Sequence, residues 1–404
     1  MNEGRNHSIQ SKLRQGAMGA LALLATSAAM VSTSVAEEVF SAVNAVALGT
    51  TPLSSFDISF VDKTTGKYYL GDRANNAVDV LPLGTTTPTV TQIGHGDFTG
   101  ATGNNNTSGP DGVMVANNHT EIWAGDGNSS VRIYSTSGTF IQKVSTGGTF
   151  RADELCEDPV HHLILIANNA DSPPFATFIS TGTSGVANKA VVGQLHFGGT
   201  DPNAKFINAT NGAEQCQWSP ITGAFYLNLP EVNGSGNNTS AGATVAIDPV
   251  SKKVTQIFTI PISLCAGPQG MALGPNRQIA LGCSLGPTTG PGSVVINASS
   301  GFVLFNLPGL WGNDEVWFNP DDQHYFFAAG NHVPGRLSIV DAASGAVDQN
   351  VSTAAGSHSV AANGNPALVY LPVNKNAHGL CSQFGIADSL GCLLLLKANI
   401  PEDE

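Results

Sequence analysis

Seven polar residues, Asp57, Asp111, Asp153, Glu214, Gln269, Asp314 and His358, each stand just ahead of a short apolar segment, at intervals of roughly 40–60 residues. Most of them are acidic, in a chain of which only 12% is charged. Glu154 and Glu315 directly follow two of them. An Asp ahead of a strand often accepts backbone N–H groups as an Asx-turn does, so each carboxylate alone has a structural reading. As a set they read differently. Carboxylates brought together repel one another and must take up protons or gain a cation. Oxygen donors favour calcium or magnesium, and His358 adds zinc or manganese to the candidates. The expected ligands of a divalent ion are Asp57, Asp111, Asp153, Glu154, Glu214, Asp314 and Glu315. Arg73, Arg151 and His332 lie in segments expected on the same side. A cation there holds an acidic set neutral or orients a carboxylate ligand. His358 or His332 is the expected proton carrier and Arg73 or Arg151 the expected anion anchor.

These residues need a scaffold that brings them to one point, and the repeated unit supplies it. Each copy runs from a polar residue through an apolar strand and a turn. A second strand rich in aromatic and β-branched residues follows, then a polar loop and a third strand. Copy one reads Asp57-ISFVD, KYYLGDR, AVDVLPL, TVTQIGHG; copy two reads Asp111-GVMVAN, EIWAGDG, SVRIYST, FIQKVSTG. Further copies open at Asp153, Glu214, Gln269, Asp314 and His358. The period suits four-stranded propeller blades, so the expected fold is an all-β, seven-bladed β-propeller. The last copy ends after three strands, and the segment from Val39 to Leu48 has the composition to complete it and close the ring. In such a fold the opening residues line the mouth of a central channel.

TGKYYLGDRANNAVDV and TEIWAGDGNSSVRIY resemble the repeat of exported YVTN/YncE-type propellers and, more distantly, of NHL and gluconolactonase-like ones. Copies three to five depart from that repeat with longer loops (170–175, 231–242 and 285–292). The resemblance implies architecture. Such folds host binding proteins, lactonases, lyases and oxidoreductases alike.

Composition bounds the rest. With 17 Lys+Arg against 30 Asp+Glu, the net charge is -13, which argues against a nucleic-acid partner. Low charge with 46 Gly and 22 Pro disfavours long helices and coiled coils. Arg5, Lys12 and Arg14 precede an alanine-rich apolar run and the small-x-small stretch Ser34-Val35-Ala36, the layout of a cleavable signal peptide over 1–36. The propeller would then occupy 37–404, as a periplasmic or secreted monomer without integral membrane association. The six cysteines lack metal-knuckle or haem spacing and allow 15 pairings. Blade order suggests Cys156 with Cys216, Cys265 with Cys283, and Cys381 with Cys392. His161 and His162 fall on a turn of the opposite face and read as solvated. G-x-S-x-G, H-E-x-x-H and P-loop motifs are missing from the sequence. Two functions follow. One is a metal-assisted hydrolase or lyase, lactonase-like, acting on a small carboxylated or lactone-type molecule at the channel mouth. The other is a non-catalytic scaffold whose long loops hold a protein or ligand partner.

Overall fold

The computed structural model describes residues 39–285 and 291–399, so the expected signal peptide and most of the 285–292 loop lie outside the described residues. Within them, seven four-stranded antiparallel sheets form a seven-bladed β-propeller. Blade one comprises Ser59–Asp62, Lys67–Asp72, Ala77–Pro82 and Thr91–Ile93, ordered from the axis outwards. Blade two comprises Val113–Ala116, Glu121–Asp126, Ser130–Ser135 and Phe140–Ser145. Blade seven is built from Ala361–Asn363, Leu368–Val373 and Cys392–Asn399, and its outer strand is Val39–Val46 from the other end of the chain. That strand pairs from Val39 opposite Asn399 to Val46 opposite Leu393, with one bulge between Ala42 and Asn44. Ring closure by the first strand is therefore as expected.

The core is divided among the gaps between blades. Strands buried on both faces lose simple alternation and read as continuous apolar runs. KYYL and LILIAN are of this kind. Tyr68 and Leu70 pack towards blade seven, while Tyr69 packs towards blade two. Seven hydrophobic clusters fill the seven interfaces, for example Leu165 and Phe178 of blade three against Phe225 and Val245 of blade four. Glycine allows the closest approaches. A Cβ at Gly71 or Gly125, the glycines near the ends of the second strands of blades one and two, would collide with backbone carbonyls of the next blade.

All three expected cysteine pairs are disulfides. Cys156–Cys216 ties the inner strands of blades three and four. Cys265–Cys283 lies within blade five, and Cys381–Cys392 closes the final loop of blade seven. Three disulfides fit an oxidising compartment. Among the described residues no helix is long and apolar enough to cross a membrane.

Phe40 on the closing strand is 2% exposed and stacks edge-on to Phe326 of blade six at 5.6 Å. Phe40→Ala is expected to cost about 3–5 kcal/mol. Denaturant titration should show a lower midpoint with an unchanged slope; a midpoint within error of the parent would mean that the closing strand carries little of the ring's stability.

Candidate channel-mouth site

A repeated backbone bond fixes the height of the ring. In five blades the N–H of the opening residue donates to a carbonyl near the end of the second strand. These bonds are Asp57 to Gly71 (2.8 Å), Asp111 to Gly125 (3.0 Å), Asp153 to Ala167 (2.8 Å), Glu214 to Asn228 (2.9 Å) and Asp314 to Ala328 (3.2 Å). The side chains are thereby delivered to equivalent positions around the axis. Asp57, Asp153, Glu154, Glu214, Gln269, Asp314 and His358, with Arg73, Asn105 and Arg151, line one cavity of about 170 Å³.

Arg73 is the hub of this cavity, only 4% exposed. Its Nη2 donates to Asp57 Oδ2 at 2.6 Å and also to Asp111 Oδ1, its Nε donates to Asp111 Oδ1 at 3.0 Å, and its Nη1 donates to Asn105 Oδ1 at 2.7 Å. Arg151 pairs with Asp153 Oδ2 at 2.7 Å, and its Nε is buried without a partner. His358 stacks on Phe56 at 4.7 Å. It directs Nδ1 to the Gly356 carbonyl at 2.7 Å, leaving Nε2 3.5 Å from Asp57 Oδ1.

Charge is therefore balanced from within the protein. Burial would raise the Asp57 carboxyl, but Arg73, a hydrogen bond with His358, and Arg151 hold it well below the usual carboxylate range. Burial pushes Asp111 well above that range despite Arg73, with Asp153 and Asp57 repelling it further. Burial raises Asp153 to about 6, against the pull of Arg151. It raises Glu214 to about 8, helped by Asp153 and Asp314. Asp314 is raised by burial, with His358 opposing. Burial would lower His358, but Asp57 and Asp314 bring it up to about 9. Burial thus makes both Asp153 and Glu214 easier to protonate than ordinary carboxyls, Glu214 the more so.

As for a metal, Asp57, Asp111 and Asp153 each offer an oxygen within 4.8 Å of the others. Guanidinium groups already occupy part of that set, and Asp111 Oδ2 is a buried oxygen without a partner. A divalent ion would have to compete with Arg73 and Arg151 for the same oxygens.

The sequence-predicted residues separate into groups. Asp57, Arg73, Asp111, Arg151, Asp153, Glu214, Asp314 and His358 converge. Glu154 and Glu315 sit one residue further down their strands; both border a cavity at the other end of the channel, and Glu154 borders the mouth as well. Glu315 accepts from Val360 N at 2.9 Å and Ser59 N at 3.3 Å, and also from the Ser359 hydroxyl. His332 stands apart, its ring 4.9 Å from Trp311 and its Nδ1 on the Pro334 carbonyl. Of the histidines expected to be solvated, His161 bonds Asp158 at 2.6 Å and His162 borders the opposite-face cavity. Asn105 was not foreseen. Its side chain accepts from Arg73 and its carbonyl from Arg151 at 3.4 Å, so it bridges both cations. It lies in an Asn-rich turn between blades one and two, which reads as ordinary loop.

Beside the mouth lies a polar cleft of about 810 Å³ over blades three and four, and Arg151 and Glu214 border both spaces. Asn169 connects them, donating to Glu214 Oε1 at 2.6 Å. Glu231 organises the long loop of blade four by accepting from Thr239 N (2.7 Å), Ser240 N (2.9 Å) and Thr210 Oγ1 (3.0 Å).

Two predictions follow from this electrostatic arrangement. Asp153, Glu214 and His358 all titrate higher in the folded protein than unfolded, so each contributes stability at low pH that is lost as pH rises through its folded value. Stability should fall between about pH 4 and pH 9, and Glu214→Gln should remove one group's slope, about 1.4 kcal/mol per pH unit over part of that range. A flat pH–stability curve for the parent protein would contradict the assignment. Asp57, with its depressed value, acts in the opposite sense and destabilises only in strong acid. Arg73→Met leaves two buried carboxylates without their shared partner and should cost about 3–5 kcal/mol in urea denaturation near neutral pH.

No protein-family model matches this chain, and no curated protein matches it. Solved structures do. A chain of a mitotic checkpoint complex is 12% identical with a TM-score of 0.57, covering 98% of this chain and 100% of that one. A chain of the hydrazine synthase of Kuenenia stuttgartiensis is 13% identical with a TM-score of 0.59, covering 81% of this chain and 94% of that one. At these identities the likeness is one of fold alone.

Proposed function

We propose that this protein is an exported propeller, of the kind the YVTN/YncE-like repeats of blades one and two suggest, that binds a small carboxylated or lactone-type molecule at the channel mouth and hydrolyses it. The observation that carries this reading is that Asp153, Glu214 and Arg151 line one cavity, where burial raises the two carboxyls unequally, to about 6 and about 8. Burial is the largest cause of both shifts. Neighbouring carboxyls whose environments leave one ionised and the other protonated supply a base and an acid at the same pH. In a lactone, Asp153 takes a proton from the attacking water as the new carbon–oxygen bond forms. Glu214 gives its proton to the ring oxygen as the old bond breaks, and proton exchange with solvent restores both groups. Arg151 and the protonated His358 favour the negative charge that builds on the carbonyl oxygen. The neighbouring amide-lined cleft would hold the remainder of the molecule.

A metal-assisted form of the same reaction is the second reading, favoured by the close approach of Asp57, Asp111 and Asp153 and by the unpartnered Asp111 oxygen. Bound calcium, magnesium, manganese or zinc would polarise the carbonyl or activate the water.

A panel of lactones and carboxylate esters, assayed with and without chelator, separates these readings. Acid–base hydrolysis predicts turnover that survives chelation and falls at least about 100-fold in kcat in Asp153→Asn and Glu214→Gln, with circular dichroism unchanged. Activity lost to chelator, with near-stoichiometric metal by elemental analysis, selects the metal form. Absence of turnover across the panel, together with partner capture that disappears when 232–241 are deleted, would replace both with the scaffold reading.

A further inference from the structure

The channel has a second end of a different chemistry. On the face opposite the mouth lies a cavity of about 610 Å³, within the usual size range for small-molecule sites. Its lining includes Phe60, Met114, Trp218 and Trp317 together with Glu154, Glu157 and Glu315, and its basic side chains are His119 and His162, with neither Lys nor Arg. Phe60 and Trp317 meet edge to face at 5.7 Å. Glu315 is 1% exposed, and while one carboxyl oxygen is saturated by Ser359, Ser59 and Val360, Oε1 has no partner. Trp218 Nε1 is likewise buried and unpartnered. A native interior seldom leaves buried polar atoms unpaired, so the Glu315 oxygen marks a place where a ligand's positive charge or N–H donor would supply what the fold does not, while the Trp218 N–H calls for an acceptor such as a ligand hydroxyl.

The combination selects among ligands. Aromatic side chains attract positive charge through the negative potential of their ring faces. The lining holds no Lys or Arg, and burial raises the Glu154 and Glu315 carboxyls, Glu315 to about 8. An entering cation favours their ionised form and so gains a counter-charge that an anion cannot, and an alkyl-bearing cation gains from the apolar walls as well. A bare metal ion would gain nothing from Trp218, Met114 or Phe60. We infer that this cavity binds a small organic cation, an amine or quaternary ammonium compound, with Phe60, Trp218 and Trp317 around its apolar groups and Glu154 and Glu315 as its counter-charge. This site is independent of the chemistry proposed for the channel mouth.

Choline and its uncharged carbon isostere, 3,3-dimethylbutan-1-ol, form a suitable pair of probes, because they share shape and differ in charge. Titration of the purified protein, followed by tryptophan fluorescence and by calorimetry, should give saturable binding of choline at least tenfold tighter than of the alcohol. Glu315→Gln and Trp218→Leu should each weaken choline at least tenfold. Trp311→Phe, outside the cavity, should leave its affinity unchanged. Trp218→Leu removes an aromatic wall without touching the hydrogen bonds of Glu315, so it decides the matter if Glu315→Gln fails to fold. Equal affinity for the two probes, no saturable response to choline, or parental affinity in Trp218→Leu would overturn the inference.

Discussion

A propeller blade is apolar on both faces, so every blade here depends on two neighbours and the ring must close. Closure falls to one antiparallel pairing, Val39–Val46 against Cys392–Asn399, between segments from opposite ends of the chain. Phe40 and Ala45 from that strand join the cluster between blades six and seven, and Val46 joins the one between blades seven and one. The remaining interfaces are each filled from both adjacent blades, so tension or loss at the seam is felt around the circle. The axis, and everything on it, exists only because that circle is complete.

Closure then creates an electrostatic problem. Equivalent positions from successive blades converge, and the acidic residues found there leave water together. Desolvation of an isolated carboxylate is far more costly than the repulsion between two of them, which is why burial leads the shifts at Asp111, Asp153 and Glu214. The fold meets the cost in two ways. Arg73 and Arg151 stabilise some carboxylates as ions, and protons neutralise others. Asp57 and Glu214 illustrate the two outcomes, one held below the usual carboxylate range and the other raised to about 8. Such divergence is what acid–base chemistry requires; at Asp57 burial is outweighed by Arg73, a hydrogen bond with His358 and Arg151, whereas at Glu214 burial and the neighbouring Asp153 and Asp314 prevail.

One residue further along each inner strand, the chemistry changes. Side chains alternate between the faces of a strand, but near the axis the twist of the blades brings successive positions to different depths in the channel. Glu315 therefore borders the cavity of Phe60, Trp218 and Trp317 and not that of the arginines, while Glu154 borders both. The two ends of the channel are thus built from neighbouring residues of the same strands, one end balanced by fixed cations and the other walled by aromatic rings.

Much of this was legible in the chain alone. The seven copies, the missing strand supplied by Val39–Leu48, the cysteine partners and the ring of opening residues follow from local pattern, because strand period and turn chemistry are written in consecutive residues. Three-dimensional packing decided the rest. That Arg73 spans Asp57 and Asp111, that Asn105 joins Arg73 to Arg151, and that His332 turns to Trp311 all depend on where loops of different blades meet. The polar cleft and the aromatic cavity are likewise assembled from several blades. No spacing within one copy encodes such meetings. Protonation states lie further still from the sequence, since they are set by burial and by charges that come together only when the ring is closed.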